Sequence, residues 1–262
     1  MGVEMPERSN LAIDLAELCQ RLAHPSELSG GVFLAGHFEV EPYSPAFFEI
    51  LAVITAATCQ LESALVASEL HPSAVPITKA HLQAVRAAFN SAGLAGNWSN
   101  HGAPSLAASH SDPILTLSGA LALMDYNKPS SEEVASIIAD ANELLGWLEE
   151  HEIEESDFIR LCIIDGLKRF IFRMEKIGWL GWPHAVECLQ EIIGAYLAIE
   201  RGFDPELHPK TGALMRKVLV KLRQSFELVT GTREAADNVT FAISVLKGVI
   251  YPGAGYIAGY LN

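Results

Sequence analysis

Ser44-Pro45-Ala46-Phe47-Phe48-Glu49-Ile50-Leu51-Ala52-Val53-Ile54-Thr55-Ala56-Ala57-Thr58-Cys59-Gln60-Leu61-Glu62-Ser63-Ala64-Leu65-Val66-Ala67-Ser68-Glu69-Leu70 carries only Glu49, Glu62 and Glu69 as charges. Ser44 offers a capping hydroxyl, and Pro45 has the fixed φ and missing N–H that suit a first helical position, so a helix should start here. The apolar run behind it predicts a central helix buried on most sides. It resembles a membrane span in length, but Glu49, Glu62, Thr55, Thr58 and Gln60 argue against spanning, because an acidic side chain at bilayer depth costs a few kcal/mol.

Helix signals continue on both sides. Ser130 and Glu133 in Pro129-Ser130-Ser131-Glu132-Glu133 have capping-box spacing. Behind them Val134, Ile137, Ile138, Ala141, Leu144, Leu145 and Leu148 recur at three- and four-residue steps, with Glu132, Glu133, Asp140, Glu143 and Glu149 on other faces. Asp112-Pro113 is a further expected start. Other helices are expected at about 10–23, 78–92, 113–125, 156–178, 183–201, 211–229 and 232–250. The stretch Val32-Phe33-Leu34 with His37-Phe38-Glu39-Val40 reads as a small hairpin or an extended loop. The sum is an all-α, non-repetitive bundle of roughly nine helices with at most one small hairpin. It reads as one domain over residues 1–262, with the polar 97–112 stretch expected as a long loop where it would divide. Residues 252–262 form a Gly-rich tail.

Composition narrows the function classes. Half of the 262 residues are hydrophobic and 19% are charged, which excludes a disordered chain. Cys19, Cys59, Cys162 and Cys188 stand singly in apolar surroundings and read as reduced core thiols, which points to the cytoplasm. The N-terminus shows no export or lipidation signal. A net charge of −14 disfavours nucleic acid as a whole-surface partner. Charge is uneven along the chain: residues 1–155 hold 5 Lys+Arg and 21 Asp+Glu, and residues 156–262 hold 13 and 11.

The basic residues of the second half suggest an anion- or partner-binding surface. Arg169, Arg173 and Lys176 share a helical face, with Asp165 one turn before them, and Arg216, Lys217, Lys221 and Arg223 would extend it from a neighbouring helix. Such a face would suit a phosphate, a lipid headgroup or an acidic partner, or it is a solvated surface neutralised by the acidic first half. Trp179 and Trp182, beside Gly178 and Gly181, either fill a helix corner or anchor a partner. In the C-terminal segment, Gly255 and Gly259 have the spacing that lets helices approach closely, and Tyr256 and Tyr260 suit a membrane interface or self-association. Lys247 and Pro252 count against a spanning helix there.

Catalytic constellations are scarce. There is no phosphate loop, zinc-protease helix, nucleophile elbow or EF-hand loop, and no Glu is followed three residues later by His. Neither a metal nor a cofactor is expected. His101, His110 and Asp112, with nearby serines, offer acid–base residue types within a single stretch, where loop polarity explains them as well. Arg201-Gly202-Phe203-Asp204-Pro205-Glu206-Leu207-His208 has the Arg-x₆-His spacing that resembles the signature of HEPN-type helical ribonucleases. The resemblance implies a metal-independent nuclease, with Arg201 stabilising phosphate charge and His208 moving a proton, and nucleic acid as its partner. Gly202 and Pro205 depart from that pattern. The leading expectation is a helical interaction protein acting through self-association or a protein partner, with a membrane surface as a further partner for its C-terminus. A nuclease and a small-molecule-binding bundle are the alternatives.

Overall fold

The computed structural model describes residues 8–123, 125–150, 157–181, 184, 185 and 188. The fold is all-α. The described residues fall into two compact units: unit 1 takes those of Met1–Lys128 and Arg169–Cys188, and unit 2 takes those of Pro129–Lys168.

Unit 1 begins with β1 (Arg8–Ser9), which pairs antiparallel with β2 (Tyr126–Asn127) in the register Arg8↔Asn127 and Ser9↔Tyr126. Helix α1 (Leu11–Leu22) follows, and its first turn is capped by Asn10, whose side-chain oxygen accepts from the Ala12 and Ile13 amides at 3.2 and 3.3 Å. Ala12, Leu15, Ala16, Leu18, Cys19 and Leu22 repeat with helical period and are all buried. Helix α3 (Pro45–Ala67) starts where Ser44-Pro45 requires, with the Ser44 hydroxyl accepting from the Phe47 amide at 3.2 Å.

Two stretches expected as irregular are helices. Residues 30–38 form α2 (Gly30–Phe38) instead of a hairpin, and the antiparallel pair lies elsewhere, between the start of the chain and residues 126–127. The glycines and Val32 weaken helix propensity here, but packing decides. Gly30 fits because a Cβ there would lie 2.2 Å from the Gly93 carbonyl oxygen, and its amide donates to Gly96 at 2.9 Å. Phe33, Leu34 and Phe38 are then buried.

The 97–112 stretch is helical as well, in α6 (Trp98–Ser105) and α7 (Ala108–Ala120), and it lies inside unit 1. Helix α7 begins before Asp112-Pro113 and carries Pro113 within it. Trp98 accounts for the order. It is fully buried, its Nε1–H donates to the Leu22 carbonyl at 3.0 Å, and its ring stacks on Phe33 at 4.8 Å. Gly102, one turn on, leaves the ring its room, because a Cβ there would sit 2.0 Å from it. Helices α4 (Ala74–Ala88) and α5 (Ser91–Ala95) connect α3 to this part, and α1 packs on α7 and α3.

Unit 2 contains α8 (Ser131–Glu150) and the first part of α9 (Asp157–Glu175). The capping box is formed as the sequence requires: the Glu133 amide donates to the Ser130 hydroxyl at 3.2 Å, and the Ser130 amide donates back to the Glu133 carboxylate at 2.7 Å. Ile137, Ala141, Leu144 and Leu148 are buried on one face of α8. Buried Arg160 donates to the Leu148 carbonyl at 2.9 Å, satisfying a C-terminal acceptor of α8. From Arg169 onward α9 belongs to unit 1, as does α10 (Ile177–Leu180).

Candidate functional site

The outward face of α3 is the surface that most distinguishes unit 1. Phe48, Ala52, Ala56, Cys59, Ser63, Val66 and Ala67 are exposed and share one side of the helix, with Gln60 the long polar side chain among them. Phe48 keeps 48% of its surface exposed and Val66 64%. A surface helix normally presents charge on this side. Here both charged residues of the helix are engaged at its flanks. Glu49 accepts from Arg173 Nε at 3.2 Å, and Glu62 accepts from Lys79 Nζ at 2.6 Å and from Arg86. The two cations hold the Glu62 carboxyl below its ordinary range. No residue of the strip is charged over 19 helical steps, about 28 Å at 1.5 Å per residue, and the nearest cation is Arg86, whose guanidinium lies 3.6 Å from Cys59 Sγ while it pairs with Glu62.

The N-terminal end of the strip is fixed by Tyr43. Its φ of 60° is left-handed, a conformation that costs a non-glycine residue about 1–2 kcal/mol. The turn places its ring 6.3 Å from Phe48 and 5.7 Å from Phe47, with the hydroxyl over Gly31. Tyr43 is itself 49% exposed, so an aromatic pair stands at one end of a surface that is otherwise small-residue apart from Gln60 and Val66. The expectation that α3 is buried on most sides is therefore corrected: 39% of its most apolar window is buried. The signal was present in the spacing of Phe48, Ala52, Ala56, Cys59 and Ser63. Sequence reasoning missed it because apolar residues fill the inner face too.

The expected basic face is neutralised where it is described. Arg173 pairs with Glu49 and donates to the His184 carbonyl at 3.3 Å, while Lys176 Nζ lies 3.2 Å from the Glu39 carboxylate. Arg169 is engaged too. Arg216, Lys217, Lys221 and Arg223 lie outside the described residues, as do Arg201, His208, Trp182, Gly255, Tyr256, Gly259 and Tyr260. Trp179 is partly buried and packs against the core. The Arg21 guanidinium sits 4.3 Å above its ring, and Phe38 meets it edge-on at 5.3 Å.

Beside Trp179 lies a cleft lined by Leu11, Asp14, Leu15, Val53 and Ile54, with a volume of about 30 Å³. That is room for a water, far below the several hundred Å³ of an organic-ligand pocket. Asp14 accepts from the Ser9 hydroxyl at 2.6 Å and from the Tyr126 hydroxyl, tying β1 and β2 to α1. Burial raises its pKa above the ordinary value, against the Ser9 hydrogen bond and the Lys128 charge.

His101, His110 and Asp112 do not assemble into an acid–base set. Ser99 and Ser105 donate to the Ser26 and His101 carbonyls, and His110 turns instead to His81. All four cysteines are unpaired, but Cys59 and Cys162 are exposed, which corrects their reading as core thiols. Among the described residues no group of three or more His, Cys, Asp or Glu is placed to hold a metal. Comparison of the chain with protein-family models, with curated proteins and with solved structures returned no match.

Proposed function

We propose that the protein is a cytoplasmic helical interaction protein that works through self-association, with the outward face of α3 meeting the same face of a second copy. The observation that carries this reading is the charge-free strip from Phe48 to Ala67 on a chain of net charge −14. Two such chains repel, and their approach costs least where neither presents charge. The strip is self-complementary when two copies run antiparallel about a twofold axis between residues 57 and 58. Phe48 then lies opposite Ala67, Ala52 opposite Ser63, and Ala56 opposite Cys59, so the aromatic residue of the strip faces a small one, while the same register sets Gln60 against Thr55 and Val66 against Glu49, whose charge Arg173 offsets. Tyr43 and Phe48 would anchor both ends, in keeping with the enrichment of aromatic residues at interface centres of energy.

A contact about 28 Å long and one helix wide buries on the order of 600 Å² in total, below the standard range, so the association is weak and reversible. Unpaired thiols at all four cysteines favour a reducing compartment. The reading is tested with the native thiols. A bis-maleimide of about 8–10 Å, close to the spacing of packed helices, should link Cys59 to Cys59 across the axis. The linked dimer is expected to persist in C162S and vanish in C59S. A dimer lost in C162S instead, or no dimer at all, contradicts the α3 contact.

A further inference from the structure

His81 on α4 and His110 on α7 meet where these helices pack, 29 positions apart in sequence, with their Nδ1 atoms 3.1 Å apart. Their ring centroids are 5.3 Å apart and the planes are inclined at 60°. Both rings are half-buried, so the nitrogens are partly screened from water yet reachable. The contact is made when one Nδ1 donates its proton and the other accepts it.

The same separation fits a shared metal ion. With metal–nitrogen bonds of about 2.0–2.1 Å, two ligands on one ion lie about 2.9 Å apart at a right angle and about 3.4 Å apart at the tetrahedral angle. The observed 3.1 Å lies between these limits. The two ligands also sit on separate helices of one packed unit, which fixes their spacing better than a loop would.

We propose that His81 and His110 form a binding site for a divalent transition-metal cation of the kind imidazole favours, such as Zn²⁺ or Ni²⁺, which clamps α4 to α7. The donor ring moves its proton from Nδ1 to Nε2, leaving both Nδ1 lone pairs for the ion with no net proton released. Each ring turns so that its lone pair points at the ion rather than at the other nitrogen. Since the described residues supply two ligands, water fills the remaining positions. Lys79 and Arg86, the cations of α4, are held by Glu62 on α3.

The test is thermal unfolding of chelator-stripped protein with added ZnCl₂, NiCl₂ or MgCl₂, for wild type, H81Q and H110Q. The expected result is a saturable rise in Tm with Zn²⁺ and Ni²⁺, about 3 °C at a metal concentration tenfold above Kd, and none with Mg²⁺. The rise should be absent from both variants. No rise in wild type, or an equal rise in both variants, would overturn the site. Should a variant fail to fold, the wild type decides alone: Zn²⁺ should protect His81 and His110 from diethyl pyrocarbonate in peptide mass spectra, and their unchanged modification contradicts the proposal.

Discussion

Glu49 of α3 and Arg173 of α9 are held 3.2 Å apart, and the same guanidinium donates to the His184 carbonyl at 3.3 Å. One residue of the expected basic face is thus spent on neutralising the flank of α3. Removing Arg173 leaves two acceptors without their donor, so R173Q should cost about 1–2 kcal/mol of stability. The Glu49–Arg173 coupling from the double-mutant cycle should be about 0.5–1 kcal/mol in urea titrations, since both side chains keep some water contact. A coupling of zero would mean that the pair adds nothing to stability, contrary to this expectation.

The cysteines should separate into two classes. Burial pushes the Cys19 thiol up to about 12, and Cys188 is buried as well, whereas Cys59 and Cys162 are exposed. A thiol reagent at neutral pH should modify Cys59 and Cys162 quickly and the other two only after denaturation. Peptide mass spectrometry showing early modification of Cys19 would contradict the packing of α1.

Gly102 is required by its neighbour. A methyl group at this position would overlap the buried Trp98 ring, so G102A should destabilise unit 1 by about 2–3 kcal/mol even though alanine is the better helix former. Trp98 should also change its emission. An unchanged melting curve for G102A would show that the ring sits elsewhere.

Asp14 gives unit 1 a pH dependence of defined sign. Its pKa is raised above the value of 3.8 by burial, so the folded state favours the protonated form. The stability this contributes is present in full below the unfolded pKa and is lost as pH rises through the folded pKa. D14N abolishes that titration, so the difference between D14N and wild type should move in favour of D14N from about pH 4 to pH 7. Parallel pH profiles in urea denaturation would show that Asp14 is not shifted.

Much of the helix pattern was legible because its causes are local. Ser44-Pro45 and the Ser130/Glu133 box act within a few residues of the helices they start. The short apolar runs of Val32–Leu34 and His37–Val40 around Ala35-Gly36 look extended locally, and the glycine, proline and serines of 97–112 look like a loop. What orders them is the pairing of Gly30 with Gly93 and of Trp98 with Leu22, 76 positions away. The outward face of α3 was hidden for the same reason: whether an apolar side is covered depends on which elements lie against it. His81 and His110 become a pair only through the packing of α4 on α7.

Whether two α3 faces meet is decided most directly at Ala56, beside the proposed twofold axis. Ala56 is exposed in the single chain, so A56E should leave circular dichroism and Tm nearly unchanged, within about 0.5 kcal/mol. In the pair it would bring two carboxylates into a charge-free contact. Sedimentation velocity over a range of concentrations should show the mass of the wild type rising toward a dimer, while A56E stays at the 28.4 kDa monomer. A wild type that remains monomeric throughout, or an A56E protein that associates as the wild type does, would contradict the central claim.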